Sequence, residues 1–184
     1  MWRRVADAAR TTIGKDAGEG EPSSSWKRRM LLCEHSPIRR LLVSWKWTGL
    51  PYWVSVHFCR HKFGIEHQVQ SQRPDRVGTE RPNRENEPQG TPVIHECEAN
   101  AQAIINISRK RLCKMAMPET RMSWQVFLDS ISFIHPELYA VCVPDCIYRG
   151  YCFEYNSCGY FRTPMYQQEL EKYRKGINEL QEDN

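Results

Sequence analysis

Residues 40–73 read RLLVSWKWTGLPYWVSVHFCRHKFGIEHQVQSQR, and this stretch joins a strand pattern to a helix pattern. Apolar residues alternate over 40–47, which predicts a strand with one apolar face. Gly49 ends that pattern. Pro51 suits the first position of a helix, which we expect over Tyr52 to about Lys62. A basic and polar run then follows the helix.

Further helices are predicted on both sides of this stretch. A short helix is expected over residues 1–12, followed by a Gly- and Ser-rich loop over 13–25. Ser24 or Ser25 can cap a helix that runs to about Cys33 and stops before Pro37. Asn100–Ile107 has helical character, and the tail Pro164–Leu180 is amphipathic. Another helix begins at Pro118, with apolar residues at helical spacing: Trp124, Phe127, Leu128, Ile131 and Ile134.

The composition changes abruptly over residues 73–92, which are almost all polar or turn-forming. This indicates a long loop, and such a loop within a compact domain is usually functional or disordered. We therefore expect a core over 1–134 that contains this loop. Residues 135–184 are expected to form a Cys- and aromatic-rich extension with a C-terminal amphipathic helix.

The overall composition limits the class of protein. A chain of 184 residues with 40% apolar and 26% charged residues can build one domain with a real core, or two very small ones. No apolar run approaches the roughly 18–20 residues that a membrane-spanning helix needs. No secretory signal pattern is found, so the expected compartment is cytoplasmic. The net charge of +4 is compatible with a phosphate-bearing partner.

Two polar segments carry the candidate chemistry. The first is Arg60-His61-Lys62 followed by Ser71 and Arg73, and the second begins at Asn100-Ala101-Gln102. Arginine can bind a phosphate or a planar polar edge through two parallel hydrogen bonds. Asparagine offers both a donor and an acceptor, which suits a base or a flavin edge. Taken alone, this spacing more often belongs to solvated basic residues at helix ends.

The order and spacing of these segments resemble the flavin-dependent thymidylate synthase family. That family's signature is Arg-His-Arg, then seven or eight residues, then Ser and an Arg two positions later. Its downstream pattern is Asn-Ala-Arg, Asn, Arg, and Ala-Gln-x-Glu. The corresponding residues of this chain are Arg60, His61, Lys62, Ser71, Arg73, Asn100, Ala101, Gln102, Asn106, Arg111, Ala116 and Glu119.

The chain departs from the family pattern at three places. Lys62 and Gln102 stand where the family has arginine, so a bidentate contact becomes a point charge at Lys62. The helical segment that the family usually has between the two motifs is replaced by the polar loop. The chain is thus similar to a shortened and divergent member.

The resemblance implies an α+β fold in which helices pack on a small, mostly antiparallel sheet, assembled as a homotetramer with shared active sites. It implies reductive methylation of dUMP to dTMP by an FAD-dependent methyltransferase. Methylenetetrahydrofolate would supply the carbon, and NADPH would reduce the flavin. In such an enzyme the cofactor supplies the redox chemistry, while the protein binds and orients the cofactor and the substrate.

The resemblance also assigns roles to residues. Arg111 would be catalytic, because a cation at the uracil edge stabilises developing charge. The residues expected to bind dUMP are His57, Arg60, Gln70, Ser71, Gln72, Arg73 and Arg111. Those expected around FAD are Ser36, Arg60, His61, Lys62, Asn100, Ala101, Gln102 and Asn106. No metal site is assigned.

Three alternatives stay open. A dUMP hydroxymethylase of the same fold would use flavin and folate differently, and a degenerate homologue of this fold would have no activity. The flavin-free thymidylate synthases are not among the alternatives, because they use a Pro-Cys nucleophile and this sequence has no Pro-Cys pair. A zinc-stabilised nucleic-acid-binding protein is the alternative from another class, with Cys142, Cys146, Cys152 and Cys158 as ligands of irregular spacing. The small net charge argues against nucleic acid as a partner, and those cysteines otherwise belong to a packed extension.

Overall fold

The computed structural model describes residues 1–77 and 86–182. The chain divides into two compact units, one formed by Val43–Ala99 and the other by Met1–Leu42 together with Asn100–Asn184. Residues 135–184, which the sequence suggests as an extension, thus belong to the same unit as residues 1–42 and 100–134. In the following, the first is called the sheet unit and the second the helical unit.

The sheet unit is built on three strands in the order β1-β3-β2. Strand β2 runs antiparallel to β3, with His67 opposite Cys97. Ser44 of β1 contacts Glu98 of β3, and Lys46 contacts Glu96. The residue numbers rise along β1 while those of their partners in β3 fall, so β1 and β3 are also antiparallel. The bounds are β1 Leu42–Pro51, β2 Ile65–Val69 and β3 Pro92–Asn100, with α3 at Tyr52–Cys59 between β1 and β2. The expected α+β class with a small antiparallel sheet is confirmed.

Two predicted boundaries in this unit were wrong. Strand β1 continues through Gly49 to Pro51, because Gly49 adopts a φ of 78° that a strand accommodates as a local distortion. Helix α3 ends at Cys59, earlier than the predicted Lys62. The chain then turns into β2 through Gly64, whose φ of 73° lies in the left-handed region.

The helical unit contains the remaining helices, except for the short α4, Pro74–Val77, which follows β2. Its core includes Trp124, whose indole Nε1 donates to Ser108 Oγ at 2.9 Å, and a smaller cluster includes Ile147, Tyr160, Tyr166 and Leu170. The helices are α1 Trp2–Thr11, α2 Ser24–Leu32, α5 Ala101–Arg111, α6 Pro118–Ile131, α7 Pro136–Val141, α8 Asp145–Arg149 and α9 Pro164–Glu182, with 3-10 turns at Ser36–Arg40 and Tyr160–Arg162.

Several predicted helices are confirmed with shifted ends. Ser23, rather than Ser24 or Ser25, caps α2 by accepting a hydrogen bond from the Trp26 backbone N–H at 3.2 Å. Ile134 lies beyond the end of α6 and is exposed. The predicted polar loop over 73–92 contains α4, and its residues 78–85 lie outside the described part of the chain. None of the helices in the described ranges combines the length and the apolar composition that a membrane-spanning segment needs.

Candidate functional site

The Arg60-His61-Lys62 motif occupies the turn that follows α3. The turn is closed by the His61 N–H, which donates to the Phe58 carbonyl at 2.9 Å. Arg60 and Lys62 are exposed, and His61 is half-buried. Two exposed cations that flank an imidazole are suited to an anionic ligand.

The second part of this motif follows β2. Gln70 makes two hydrogen bonds with Ile94. The Gln70 backbone N–H donates to the Ile94 carbonyl at 2.8 Å, and the Ile94 N–H donates to the Gln70 side-chain Oε1 at 3.0 Å. Ser71 Oγ accepts from the Arg73 N–H at 3.2 Å. Ser71 is exposed and Gln72 half-buried.

Arg73 already has an anionic partner within the chain. Its guanidinium donates to both oxygens of Asp75, at 3.0 and 2.7 Å. Both side chains are more than half exposed, at 56% and 59%. An ion pair this exposed contributes only about 0–1 kcal/mol, so a phosphate can replace Asp75 at little cost.

His57 lies on α3, half-buried, with its ring 5.4 Å from that of Trp53 in an edge-on arrangement.

The sheet unit also contains a group of two histidines and a cysteine to which the sequence analysis assigned no role. His67 Nδ1 and His95 Nε2 are 3.0 Å apart, and Cys97 Sγ lies 3.4 and 3.3 Å from them. The alternation of β3 places His95 and Cys97 on the buried face.

The hydrogen bonds determine the tautomers of the two histidines. His67 Nε2 lies 2.9 Å from the His61 carbonyl, which only accepts, so Nε2 carries the proton. When both imidazoles are neutral, His67 Nδ1 accepts from His95 Nε2. The remaining His95 Nδ1 is buried without a hydrogen-bond partner. Burial, followed by the charge of His67, lowers the pKa of His95 to about 4.

The ligand atoms of Cys59, His67 and His95 lie within 4.8 Å of one another, a spacing that a metal ion can use. Two observations favour hydrogen bonding instead. The 3.0 Å separation of the ring nitrogens is shorter than the roughly 3.3 Å edge of a tetrahedral zinc site. His95 Nδ1 also lacks the outer partner that metal-bound histidines usually have. We therefore interpret the group as a neutral hydrogen-bonded pair beside two thiols.

The helical unit holds the other predicted residues, several of them on α5. Asn100 caps this helix, because its Oδ1 accepts from the Ala103 N–H at 2.9 Å. Ala101 is fully buried, and its N–H donates to the Leu41 carbonyl at 2.9 Å. Ser36 is exposed at the start of the first 3-10 turn. The roles predicted for these residues toward FAD stay predictions.

Gln102 and Asn106 share one face of α5, as their spacing predicts, with Gln102 Nε2 3.4 Å from Asn106 Oδ1. Gln102 also donates to Glu34, a residue to which sequence reasoning gave no role. Glu34 pairs with Arg109 as well, and Arg109 stacks 3.6 Å from the Tyr148 ring centroid. The polar face of α5 is therefore occupied by contacts within the chain.

The pairing of Glu34 determines its charge. Burial alone raises the pKa of this carboxyl group, but hydrogen bonds from Arg109 and Gln102 outweigh burial and hold the pKa below its usual value. The carboxylate is therefore negative at neutral pH. Glu34 and Arg109 are 75 residues apart in the sequence, so no local spacing could have indicated the pair.

Arg111 is the last residue of α5 and is half-buried. Arg109, Lys110 and Arg111 together place three cations in the last helical turn, where the helix dipole favours positive charge. Lys110 Nζ pairs with Glu154 Oε1 at 3.2 Å. Because Glu34 pairs with Arg109 and Glu154 with Lys110, two of these three cations are neutralised within the chain.

Five of the eight cysteine thiols are poorly suited to nucleophilic catalysis. Burial raises the pKa of Cys59 and Cys113, and it raises the pKa of Cys146 to about 11 and those of Cys97 and Cys142 to about 12. The thiolate is the reactive form, so a raised pKa suppresses reactivity at neutral pH. This agrees with the lack of a Pro-Cys pair in the sequence.

No family model matches the chain, and no curated protein does. Among solved structures, the chain is similar to the crystal structure of the UMP/dUMP methylase PolB from Streptomyces cacaoi bound with 5-Br dUMP. The TM-score is 0.59 at 14% sequence identity, and the similarity covers 75% of this chain and 88% of that chain. At this identity the similarity shows a shared fold.

Proposed function

We propose that this chain methylates dUMP in a flavin-dependent reaction, as a thymidylate synthase of the type that its motifs resemble. The observation that carries the proposal is that a chain with these motifs shares the fold of a UMP/dUMP methylase. The motifs and the shared fold favour the same substrate class. The proposed assembly is a homotetramer.

The residues present fit FAD in two respects. Exposed Arg60 and Lys62 offer positive charge to a diphosphate. Asn106 is exposed on α5, and because its Oδ1 already accepts from Gln102 and Arg109, its amide N–H would be the group offered to the flavin. Gln102 fits less well, because Glu34 already accepts from its amide. The flavin, once reduced by NADPH, would supply the hydride, and methylenetetrahydrofolate would supply the carbon.

The chain's own residues would bind and polarise dUMP. Ser71 and Arg73 would bind the phosphate of dUMP. The Arg73 guanidinium would then donate to the phosphate in place of the Asp75 carboxylate. Arg111 would donate to the uracil edge and stabilise negative charge that develops on the ring. The raised thiol pKa values support a route without a cysteine nucleophile.

The first test is a visible absorbance spectrum of the purified chain with FAD, followed by titration with dUMP and with UMP. We expect a bound-flavin spectrum that shifts with the substrate nucleotide. Lys62→Ala should weaken flavin retention several-fold, whereas Lys15→Ala, a matched loss of an exposed lysine, should not. Failure to bind flavin at any concentration would contradict the proposal.

The second arm measures the product by mass spectrometry, with methylenetetrahydrofolate and NADPH present. We expect a methyl group on dUMP, while a hydroxymethyl product would identify the alternative reaction. Arg111→Ala should retain flavin but lose at least about 100-fold in turnover, the usual effect of removing one charge-stabilising donor. Lys110→Ala removes the neighbouring cation and serves as the control. Unchanged turnover in Arg111→Ala would refute the role of Arg111.

A further inference from the structure

We propose that Cys113, Cys146, Cys152 and Cys158 bind one zinc ion. The four residues line the same cavity in the helical unit, whose volume is about 20 Å³. A cavity of about 10–15 Å³ holds one water molecule, so this one has room for a single ion. Cys142, a ligand in the sequence-based zinc alternative, does not line this cavity. It lies buried, and its thiol hydrogen-bonds Ser108.

The four cysteines come from two parts of the chain, with Cys113 in one and the other three within residues 146–158. Cys113 follows α5, Cys146 lies on α8, and Cys152 and Cys158 belong to the segment between α8 and the 3-10 turn at Tyr160. No helix or strand forms in the described backbone from Gly150 to Gly159. Because regular backbone hydrogen bonding does not hold this segment, a metal crosslink would supply the missing constraint.

The thiols interact with one another across the cavity. Cys113 is close enough to Cys152 and Cys158 to interact electrostatically, and Cys146 interacts with Cys113 and Cys152. Backbone N–H groups of Met115 and Ile147 donate to Cys113 and Cys146, and such donors stabilise thiolates. Zn²⁺ would deprotonate the four thiols on binding, because the thiolate is the form that ligates the metal.

The other candidate ligands around the cavity already have partners. Asp145 pairs with Arg149, and Glu154 pairs with Lys110. Four sulfur ligands in tetrahedral geometry are typical of zinc or of iron–sulfur centres. Among the described residues, the group whose ligand atoms already lie close enough together for a metal is Cys59, His67 and His95. Zinc binding would therefore have to draw the four sulfurs together, to roughly 3.8 Å from one another with Zn–S bonds of about 2.3 Å.

The site would fix the end of α5. Cys113 is two residues beyond Arg111, so a metal at Cys113 would hold the end of the helix that carries the proposed catalytic arginine. This zinc site does not depend on the proposed methylation, since zinc content and flavin binding are measured separately.

The test is the metal content of the full-length chain, purified without chelator and measured by plasma mass spectrometry. We expect one zinc per chain in the wild type, and a loss of most of it in Cys113→Ser and Cys158→Ser. Cys33→Ser, at an exposed cysteine after α2, should retain the metal, as should Cys142→Ser. A wild-type chain free of zinc after incubation with Zn²⁺ would overturn the proposal, and stoichiometric iron would overturn the choice of zinc.

Substitution with Co²⁺ identifies the ligands even where a cysteine variant fails to fold. Tetrahedral cobalt with four thiolates gives intense ligand-field and sulfur charge-transfer bands, and we expect these in the wild type. A variant with His95→Phe should keep them. Loss of the bands in His95→Phe, with retention in Cys158→Ser, would instead assign the metal to the His67–His95 group and overturn the proposal.

Discussion

His95 is a neutral and fully buried imidazole in the sheet unit, between the rings of Trp47 and His67. Its Nδ1 lone pair has no hydrogen-bond partner. Protonation would therefore place a positive charge in an apolar environment that offers no compensating acceptor. The lowered pKa, about 4 against the usual 6.5, follows from this burial first and from His67 second.

This shift predicts a pH dependence of stability. Unfolded His95 takes up a proton near pH 6.5, while the folded form does not until about pH 4. Stability is therefore complete above pH 6.5 and falls as the pH drops from 6.5 toward 4, by roughly 2–4 kcal/mol in total. Urea unfolding at several pH values measures this loss.

Another histidine contributes with the same sign, because burial also lowers the pKa of His135. The variant His95→Phe separates the two, since phenylalanine keeps an aromatic ring beside Trp47 and Phe58. We expect a smaller slope of stability against pH in this variant. Equal slopes in the variant and the wild type would show that His95 does not titrate as described.

Local spacing predicted some side-chain placements and missed others. The shared face of Gln102 and Asn106 follows from helical geometry four residues apart and is confirmed. The Glu34–Arg109–Tyr148 group was not predictable, because tertiary folding joins residues from three distant segments. For the same reason, the sequence did not indicate that Cys113 lines one cavity with cysteines from residues 142–158.

At the scale of elements, α5 shows how one residue can serve both structure and a proposed site. Asn100 caps the helix through its Oδ1, and the resemblance also places it near the flavin. Asn100→Ala should lower the free energy of unfolding by about 1 kcal/mol, the usual cost of losing an N-cap. Denaturant unfolding measures this change.

Asn100→Asp tests the two roles separately. Aspartate retains the oxygen that accepts from the Ala103 N–H, so we expect near wild-type stability. Flavin binding should still weaken, because aspartate loses the amide donor and adds a negative charge. If Asn100→Asp retains both stability and flavin affinity, the cap is the only role that the residue has.

Helices were easier to predict than strands in this chain. The buried positions of helix α6 from Trp124 to Ile131 are all apolar, as the helical spacing predicts, and Thr120 is the one polar residue that α6 buries. Strand β3 also alternates, but His95 and Cys97 occupy buried positions where an apolar residue is expected. Because His95 and Cys97 are not typical apolar residues, the alternation of apolar and polar residues was not visible in the sequence, and β3 was not predicted.

At the scale of the whole molecule, the division into units could not be predicted from linear composition. The polar loop over 73–92 was expected to lie within one core, and β2 before it and β3 after it do pair in one sheet. The expected core over residues 1–134 is nevertheless shared between the two units. The helical unit is formed by the two end segments of the chain, and the sequence of the sheet unit lies between those segments. Such an inserted unit depends on pairing between distant strands, which composition does not report.

The proposed homotetramer makes a prediction about the surface of the helical unit. Met122 and Val126 on α6 are each 64% exposed, and the residues after this helix include Phe133 at 92% and Ile134 at 66%. Apolar side chains exposed together mark association surfaces. We expect light scattering after gel filtration to give a tetramer, and we expect Val126→Glu to shift it toward smaller species.

The charge introduced by Val126→Glu must be distinguished from a general effect of added charge. Gln168→Glu places the same group on an exposed position of α9 and should leave the assembly intact. Because the resemblance places the active sites between subunits, Val126→Glu should also lose turnover while its far-UV circular dichroism stays that of the wild type. A monomeric wild type would refute the tetramer, and a tetrameric Val126→Glu would move the interface away from this end of α6.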